Sequence, residues 1–430
     1  MKAHFIIKTS QPIANQPVSW QEAIESKQGA TQSFTPEVDA LLARHRTPVW
    51  VTMEYEPAAS NWSEEEMRSG FNRIYRLILQ QDGTIPPQLI EDIRLLPQIE
   101  YVRSGFIGHA PLPDQQIATA SSLTQDYRSK HIYLDEAHRF TTGHPQVTIA
   151  VLDTGIEYNH PETAHAMLPG KDFVNILDGA MQFIGDYLDY DDDPGDEVGH
   201  GTHVSGILAA KGMKMPVGVA PQCKILPVRV LGALKRGNSV VGAGLIDNIN
   251  TGIKWAVDNG ADVINMSLGI KHEGGGLPHE EVIRYALAKG ATIVAASGND
   301  GTNDKYYPGA LPGVVAVGAI DENGQVALFS TYGGHVSFTA PGTRIFSTFP
   351  PSTYAFSTGT SQAAPFVAGG VALLKSYALK RGRQLSDGQV KYLLRQTTDR
   401  TDRQFKSQKA GYGTINLLDA LKLLDYKLDG

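Results

Sequence analysis

The 430 residues are 41% apolar, include 44 glycines and a single cysteine, and carry a net charge of −7. That length exceeds one ordinary core and points to two or three domains. The acidic balance excludes nucleic acid as the main partner, which would need a basic patch, and the lone Cys223 excludes an internal disulfide.

The opening Met1-Lys2-Ala3-His4-Phe5-Ile6-Ile7-Lys8 is too short and too charged for the apolar core of a signal peptide. No stretch approaches the ~20 apolar residues of a membrane span, so no membrane partner is expected. A cytoplasmic location follows as the expectation, with secretion as the alternative. Ala3 to Thr9 reads as a strand, and Pro48 to Tyr55, rich in Val, Trp, Thr and Tyr, as another. Ser63 with Glu66 forms a capping box, and Met67, Phe71, Ile74 and Ile78 recur beyond it at helical spacing. A second helix is expected from Pro87 to Leu96 and a strand from Ile99 to Arg103. Residues 111–128, rich in Pro, Gln, Ser, Thr and Ala, have the composition of a linker.

From residue 129 onward apolar runs bounded by glycine repeat: Val147 to Leu152, Ala261 to Met266, Ala291 to Ala296 and Gly313 to Val317. They suit strands of a parallel sheet covered on both faces. Helical segments lie between them, at Leu245 to Asn259 and His279 to Lys289. The expected fold is α/β, a mostly parallel sheet with helices on both faces, its ligands at the carboxyl ends of the strands.

Four short motifs stand at such ends. Asp153 closes the first run in Val151-Leu152-Asp153-Thr154-Gly155 and reads as a site carboxylate or a turn aspartate. His200 lies in Gly199-His200-Gly201-Thr202-His203, so two histidines compete, with His203, three residues on, as the candidate core residue. Asn299 ends Ala295-Ala296-Ser297-Gly298-Asn299, where an amide can donate to an oxyanion or simply make a turn. Ser361 sits in Gly359-Thr360-Ser361-Gln362-Ala363-Ala364-Pro365, before the apolar helical run of Val367, Ala368, Val371, Leu373 and Leu374. A serine there is an N-cap, or a nucleophile near the positive end of a helix.

Taken in order, these motifs resemble those of the subtilisin-like serine proteases, and the likeness covers residues 129 to 425. It extends to Gly218-Val219-Ala220-Pro221, Ser267-Leu268-Gly269, Ala340-Pro341-Gly342 and Gly411-Tyr412-Gly413. The resemblance implies a serine endopeptidase with Asp153, His200 and Ser361 as triad and Asn299 as oxyanion donor. Its substrates are proteins or peptides, its chemistry needs no cofactor, and it acts as a monomer. The resemblance also implies that Ser267, Leu268 and Gly269 offer a backbone edge to an extended substrate, with Gly237 to Ser239 as the opposite edge. Tyr306, where relatives carry a small residue, then borders the pocket for the side chain before the cut bond and shrinks or reshapes it.

Relatives often bind calcium. The loop Lys211-Gly212-Met213-Lys214-Met215-Pro216 offers no carboxylate or amide ligand, and His335 and Ser337 stand where relatives carry acidic residues, so those two sites are not expected. The cluster of Asp189, Asp191, Asp192, Asp193, Asp196 and Glu197 has two readings. It is a Ca²⁺ site, with Asp191, Asp193 and Asp196 as candidate ligands, or a solvated loop that favours basic substrates.

Leu89 to Ala110 resembles the end of the family's inhibitory propeptide. The implied division is an α+β inhibitor-like domain over 1–110, a linker over 111–128 and a catalytic domain over 129–430. The N-terminal domain is thereby expected to act as an intramolecular inhibitor in a zymogen, with a permanent accessory domain as the alternative. The middle hairpin of the family's propeptide is expected to be missing, replaced by Asp82 to Pro86, with Ala3 to Thr9 as an extra strand. Pro111 and Pro113 flank the expected cleavage point and lack the N–H that an extended substrate needs. Cleavage is therefore expected later, between Ile117 and Leu123, or not at all.

Overall fold

In the strand Thr148–Asp153, Ile149 and Val151 join one apolar core while Ala150 and Leu152 join a second. Successive side chains of a strand point to opposite faces, so a strand apolar at every position must be covered on both. The computed structural model describes residues 3–26, 30–112, 115–118, 127–174, 183–184, 193–236, 239–271, 277–400 and 405–429. In it, seven parallel strands lie in the order Val336–Pro341, Val315–Ile320, Thr292–Ala296, Val263–Met266, Thr148–Asp153, Lys224–Arg229 and Lys171–Asp172. Helices His200–Ala209, Thr360–Lys380, Asp387–Thr397 and Leu417–Asp429 pack on the first face, and Ile246–Asp258 and Glu280–Ala288 on the second. The expected three-layer α/β architecture is present. Among the described residues no helix is long and apolar enough to cross a membrane.

The N-terminal unit is an antiparallel sheet in the order Val49–Met53, Ile74–Leu79, His4–Thr9 and Ile99–Ser104. Phe5, Ile7, Val51, Tyr75 and Leu77 pack with Val38 and Leu42 of the helix Pro36–Arg44 and with Leu89, Ile90 and Ile93 of Pro87–Arg94. Two expectations need correction here. The helix begun by the Ser63–Glu66 capping box stops at Ser69, because Gly70 takes a left-handed φ of 81° and its N–H closes back on Glu66 and Met67. Ile74 to Leu79 is therefore a strand rather than a continued helix, and Val49–Met53 and Ile74–Leu79 form the antiparallel pair expected to be missing.

The other face of this sheet lies on helices Ile246–Asp258 and Glu280–Ala288, and Ile6 and Ile74 enter their core. Charged contacts surround that seam. Lys8 Nζ is 2.6 Å from Glu281 Oε1, His4 Nε2 2.9 Å from Asp247 Oδ2 and Arg103 Nη2 2.5 Å from Asp247 Oδ1. Lys254 Nζ is 2.7 Å from Glu66 Oε1, and Arg76 donates to Asn248 Oδ1 at 2.8 Å while pairing with Glu54.

The expected linker departs from its reading. Ile107–Pro111 is a strand on the edge of Ser239–Leu245, in antiparallel register from Ile107 opposite Leu245 to Pro111 opposite Val241. Gln115–Ile117 is a strand on Thr353–Ser357, with Gln115 opposite Ser357. The chain between the two units is thus laid across the larger one in two pieces, fixed by backbone pairing that composition does not reveal.

Candidate active site

Asp153 is the last residue of its parallel strand, and His200 begins the helix His200–Ala209 whose first turn packs against that strand end. Both are fully buried. His200 Nδ1 lies 2.6 Å from Asp153 Oδ1, which also accepts the Thr154 N–H at 2.8 Å. The neighbouring carboxylate fixes the imidazole with Nδ1 protonated, and Nε2 has no partner among the described residues. Burial lowers the His200 pKa, but the charge and hydrogen bond of Asp153, with a smaller contribution from Asp196, outweigh it and hold it above the ordinary 6.5.

His203 faces the other way. Its Nε2 meets the carbonyl oxygens of Ile345 at 3.0 Å and Ala355 at 3.1 Å, so it donates and stays neutral. Burial, with the His200 charge beside it, pushes its pKa down to about 3. Of the two candidate histidines, His203 is the core one.

Ser361 lies in the first turn of Thr360–Lys380, a buried 21-residue helix. Its Oγ donates to the Ser267 carbonyl at 2.9 Å, and Ser267 Oγ returns a bond to the Ser361 carbonyl at 2.7 Å. Asn299 is held by the residue before the serine: its Oδ1 accepts the Thr360 N–H at 2.8 Å and the Thr360 hydroxyl at 2.9 Å. A backbone N–H can only donate, so the atom facing it is the oxygen, and the Asn299 amide N–H₂ is left for another acceptor. Leu268, Gly269, Ala296, Gly298, Asn299, Tyr306, Thr360 and Ser361 line one cavity. Ser267, Leu268, Gly269 and Tyr306 thus fall at the site. Thr360 is the functional neighbour that sequence reasoning missed, although it stands inside the Gly359-Thr360-Ser361 motif.

Gly237 lies outside the described residues. Ser239 begins the strand Ser239–Leu245 and pairs with Arg236. The part of this strand that pairs with Ile107–Pro111 runs from Val241 to Leu245.

Of the metal candidates, Asp196 does not fit a cation site. Asp191 lies outside the described residues. Asp196 is buried, with Oδ1 accepting from the Thr154 hydroxyl, Val198 N and Gly199 N, and Oδ2 from Thr202 N and its hydroxyl. Five donors saturate the carboxylate, so it braces the His200 turn rather than ligating a cation. Asp193 is exposed and accepts the Gly195 N–H at 3.0 Å, a local turn contact. Among the described residues no three His, Cys, Asp or Glu side chains group as a metal site. The loop after the His200 helix is closed from within. Glu162 accepts Gly212 N at 2.9 Å, Met213 N at 3.0 Å and Lys214 N at 2.6 Å. Those N–H groups face a carboxylate, where a cation would need oxygen ligands.

A buried carboxylate–imidazole pair stands at the carboxyl end of a parallel sheet, and a serine at a helix start lines one cavity with an anchored asparagine; these are the residue types of nucleophilic catalysis. The subtilase family model matches residues 144–413. The chain belongs to the subtilase family. It is 38% identical over 330 residues to the thermophilic serine proteinase of Bacillus sp. (strain AK1), covering 76% of this chain and 73% of that one. It is 39% identical over 254 residues to thermitase of Thermoactinomyces vulgaris, 59% of this chain and 81% of that one. It is 41% identical over 230 residues to subtilisin BL of Lederbergia lenta, 53% of this chain and 76% of that one. This subtilase is a serine endopeptidase, and its catalysis needs no cofactor.

Proposed function

We propose that Ser361 is the nucleophile of peptide hydrolysis, His200 its base and then acid, Asp153 the group that orients His200, and Asn299 an oxyanion donor. The observation that carries this reading is the buried 2.6 Å His200–Asp153 contact, which leaves Nε2 as the free basic atom. As Ser361 Oγ bonds to the scissile carbonyl carbon, Nε2 takes the hydroxyl proton and the carbonyl electron pair moves onto oxygen. That oxyanion is met by the Asn299 amide and the Ser361 backbone N–H. Collapse breaks the C–N bond and His200 returns the proton to the leaving amine. Water then repeats the sequence on the acyl ester: His200 takes its proton, hydroxide adds to the carbonyl, and the serine hydroxyl leaves reprotonated.

We infer further that residues 1–110 keep the protease latent. Ile107–Pro111 adds a strand to Ser239–Leu245 as an extended substrate would. Gln115–Ile117 then pairs with Thr353–Ser357, the strand that leads to Ser361. Pro111, which ends the first piece, and Pro113, which follows it in the sequence, lack the N–H of a productive substrate. Incubating wild type beside Ser361→Ala and reading N-termini and fluorophosphonate labelling tests both readings. Processing and labelling in wild type only support the zymogen. Wild type left unlabelled after limited proteolysis has removed residues 1–110 would sink the nucleophile assignment, and labelled chains with identical intact N-termini would sink self-processing.

A further inference from the structure

Tyr306 is only 4% exposed, although it carries a hydroxyl and stands beside a substrate cleft. Its ring covers Gly298 so closely that a Cβ there would lie 2.4 Å from the ring. The lined cavity that remains beside Ser361 is about 20 Å³, room for about one water. The hydroxyl leaves the pocket and donates to Asp300 Oδ2 at 2.6 Å. Lys271 pairs with that same Asp300 oxygen and with Asp304 Oδ2 at 2.8 Å, and its Nζ sits 5.3 Å from the Tyr306 ring centroid. Backbone pairing sets these groups together, since Lys271 lies opposite Tyr306 in the two-stranded ladder of Ile270–Lys271 and Tyr306–Tyr307.

We propose that Tyr306 is a tethered plug in this pocket, and that Lys271, Asp300 and Asp304 form the latch that holds it, so that the protease selects small side chains before the cut bond. The proposal rests on Ser361 as nucleophile. Glycine or alanine fits the remaining space, whereas leucine or phenylalanine requires the ring to leave. The latch is exposed, with Lys271 at 47% and Asp304 at 46%, so salt screens it. The hydrogen bonds of Lys271 and Tyr306 hold the Asp300 carboxyl below the ordinary carboxylate range, and those of Asp300 and Asp304 hold Lys271 above the ordinary lysine value. A depressed carboxylate keeps its contact until pH falls through that lowered value. The latch therefore stays charged through neutrality and opens only in acid or at high ionic strength.

The test uses the full chain, its active fraction titrated with a fluorophosphonate, and peptide amides that differ only in alanine or phenylalanine before the cut bond. Wild type should favour alanine in kcat/KM by about tenfold or more, and the preference should narrow as salt rises. Tyr306→Ala should shift the ratio toward phenylalanine by about ten- to a hundredfold. Lys271→Gln and Tyr306→Phe, which keep the ring volume, should move it a few-fold the same way and remove its salt dependence. Wild type that prefers phenylalanine would overturn the proposal. So would Lys271→Gln and Tyr306→Phe variants that keep both the wild-type ratio and its response to salt. Wild type that takes up no fluorophosphonate even after limited proteolysis has removed residues 1–110 would overturn both the nucleophile assignment and the latch, whereas a labelled chain with an unchanged ratio would overturn the latch alone.

Discussion

Ser361 and Ser267 exchange hydrogen bonds, each hydroxyl donating to the other's carbonyl oxygen, at 2.9 and 2.7 Å. The Ser361 hydroxyl is thereby turned onto the substrate-edge backbone, and His200 Nε2 stands without a partner among the described residues. For Ser361 to act as the proposed nucleophile, its hydroxyl has to leave the Ser267 carbonyl for another staggered rotamer. Ser361→Ala should remove turnover by about 10⁶-fold, the magnitude known for subtilisin itself, with fluorophosphonate labelling lost as well. Residual labelling of the variant would place the nucleophile elsewhere.

Asn299 is anchored through its oxygen by two donors from Thr360, which leaves its amide N–H₂ for charge that develops at the carbonyl oxygen. Asn299→Ala should cost about 10²–10³ in kcat with KM nearly unchanged, because the interaction exists only in the transition state. That magnitude comes from subtilisin, a member of the same family. Thr360→Val removes only the hydroxyl tether and keeps the N–H, so its loss should be smaller and again in kcat. A KM-dominated effect in either variant would make Asn299 a ground-state contact.

The pH profile follows from His200. A general base must be neutral, and the Asp153 carboxylate holds the imidazole pKa above 6.5 against the cost of burial. The protonated form is inactive, so kcat/KM should fall as pH drops through that raised value, with the midpoint of the acid limb above 6.5. Asp153→Asn should lower the midpoint and cut kcat by about 10⁴-fold. His203, held neutral down to about pH 3, should leave no inflection between. An acid limb centred at or below 6.5 would contradict the coupling.

Much of this site could be read before any coordinates, because strand ends and helix starts announce themselves in apolar runs and glycines. The positions of Asp153, Ser361 and Asn299 are legible that way, while their roles come only with the family resemblance. Spacing alone does not choose between His200 and His203, whereas the family resemblance names His200; their partners, Asp153 against two carbonyls, give the physical difference. Asp196 looked like one acid among several, since its donors come from Thr154, Thr202 and loop amides that folding brings together. Ile74 to Leu79 was misread because Met67, Phe71, Ile74 and Ile78 fall at helical spacing. The Gly70 stop and the pairing with His4–Thr9 decide otherwise.

Asp247 of the catalytic unit takes both His4 and Arg103 from the N-terminal unit, and it is wholly buried. Removing one member of a buried ion pair strands the other and costs about 3–5 kcal/mol. Asp247→Ala should therefore loosen the N-terminal unit, and the full chain should label with fluorophosphonate faster than wild type at neutral pH. Equal labelling rates would mean that this contact does not hold the latent form.

Glu162 reaches the loop after the His200 helix through three backbone N–H groups and the Tyr354 hydroxyl at 3.3 Å. One carboxylate thus satisfies donors that have no other acceptor within the turn, and it fastens the end of the helix that carries His200. Glu162→Gln keeps the shape but sets an amide N–H₂ against backbone N–H groups and removes the charge. Losing these charge-assisted hydrogen bonds from part-buried donors costs about 1–3 kcal/mol, which for a chain of this size lowers Tm by roughly 1–3 °C. Glu162→Ala should cost at least as much. Because the loop closes on a side chain, a chelator should leave the wild-type Tm unchanged. A fall in Tm with chelator that Ca²⁺ restores, together with an unaltered Tm in Glu162→Gln, would show that a cation and not Glu162 fastens this turn.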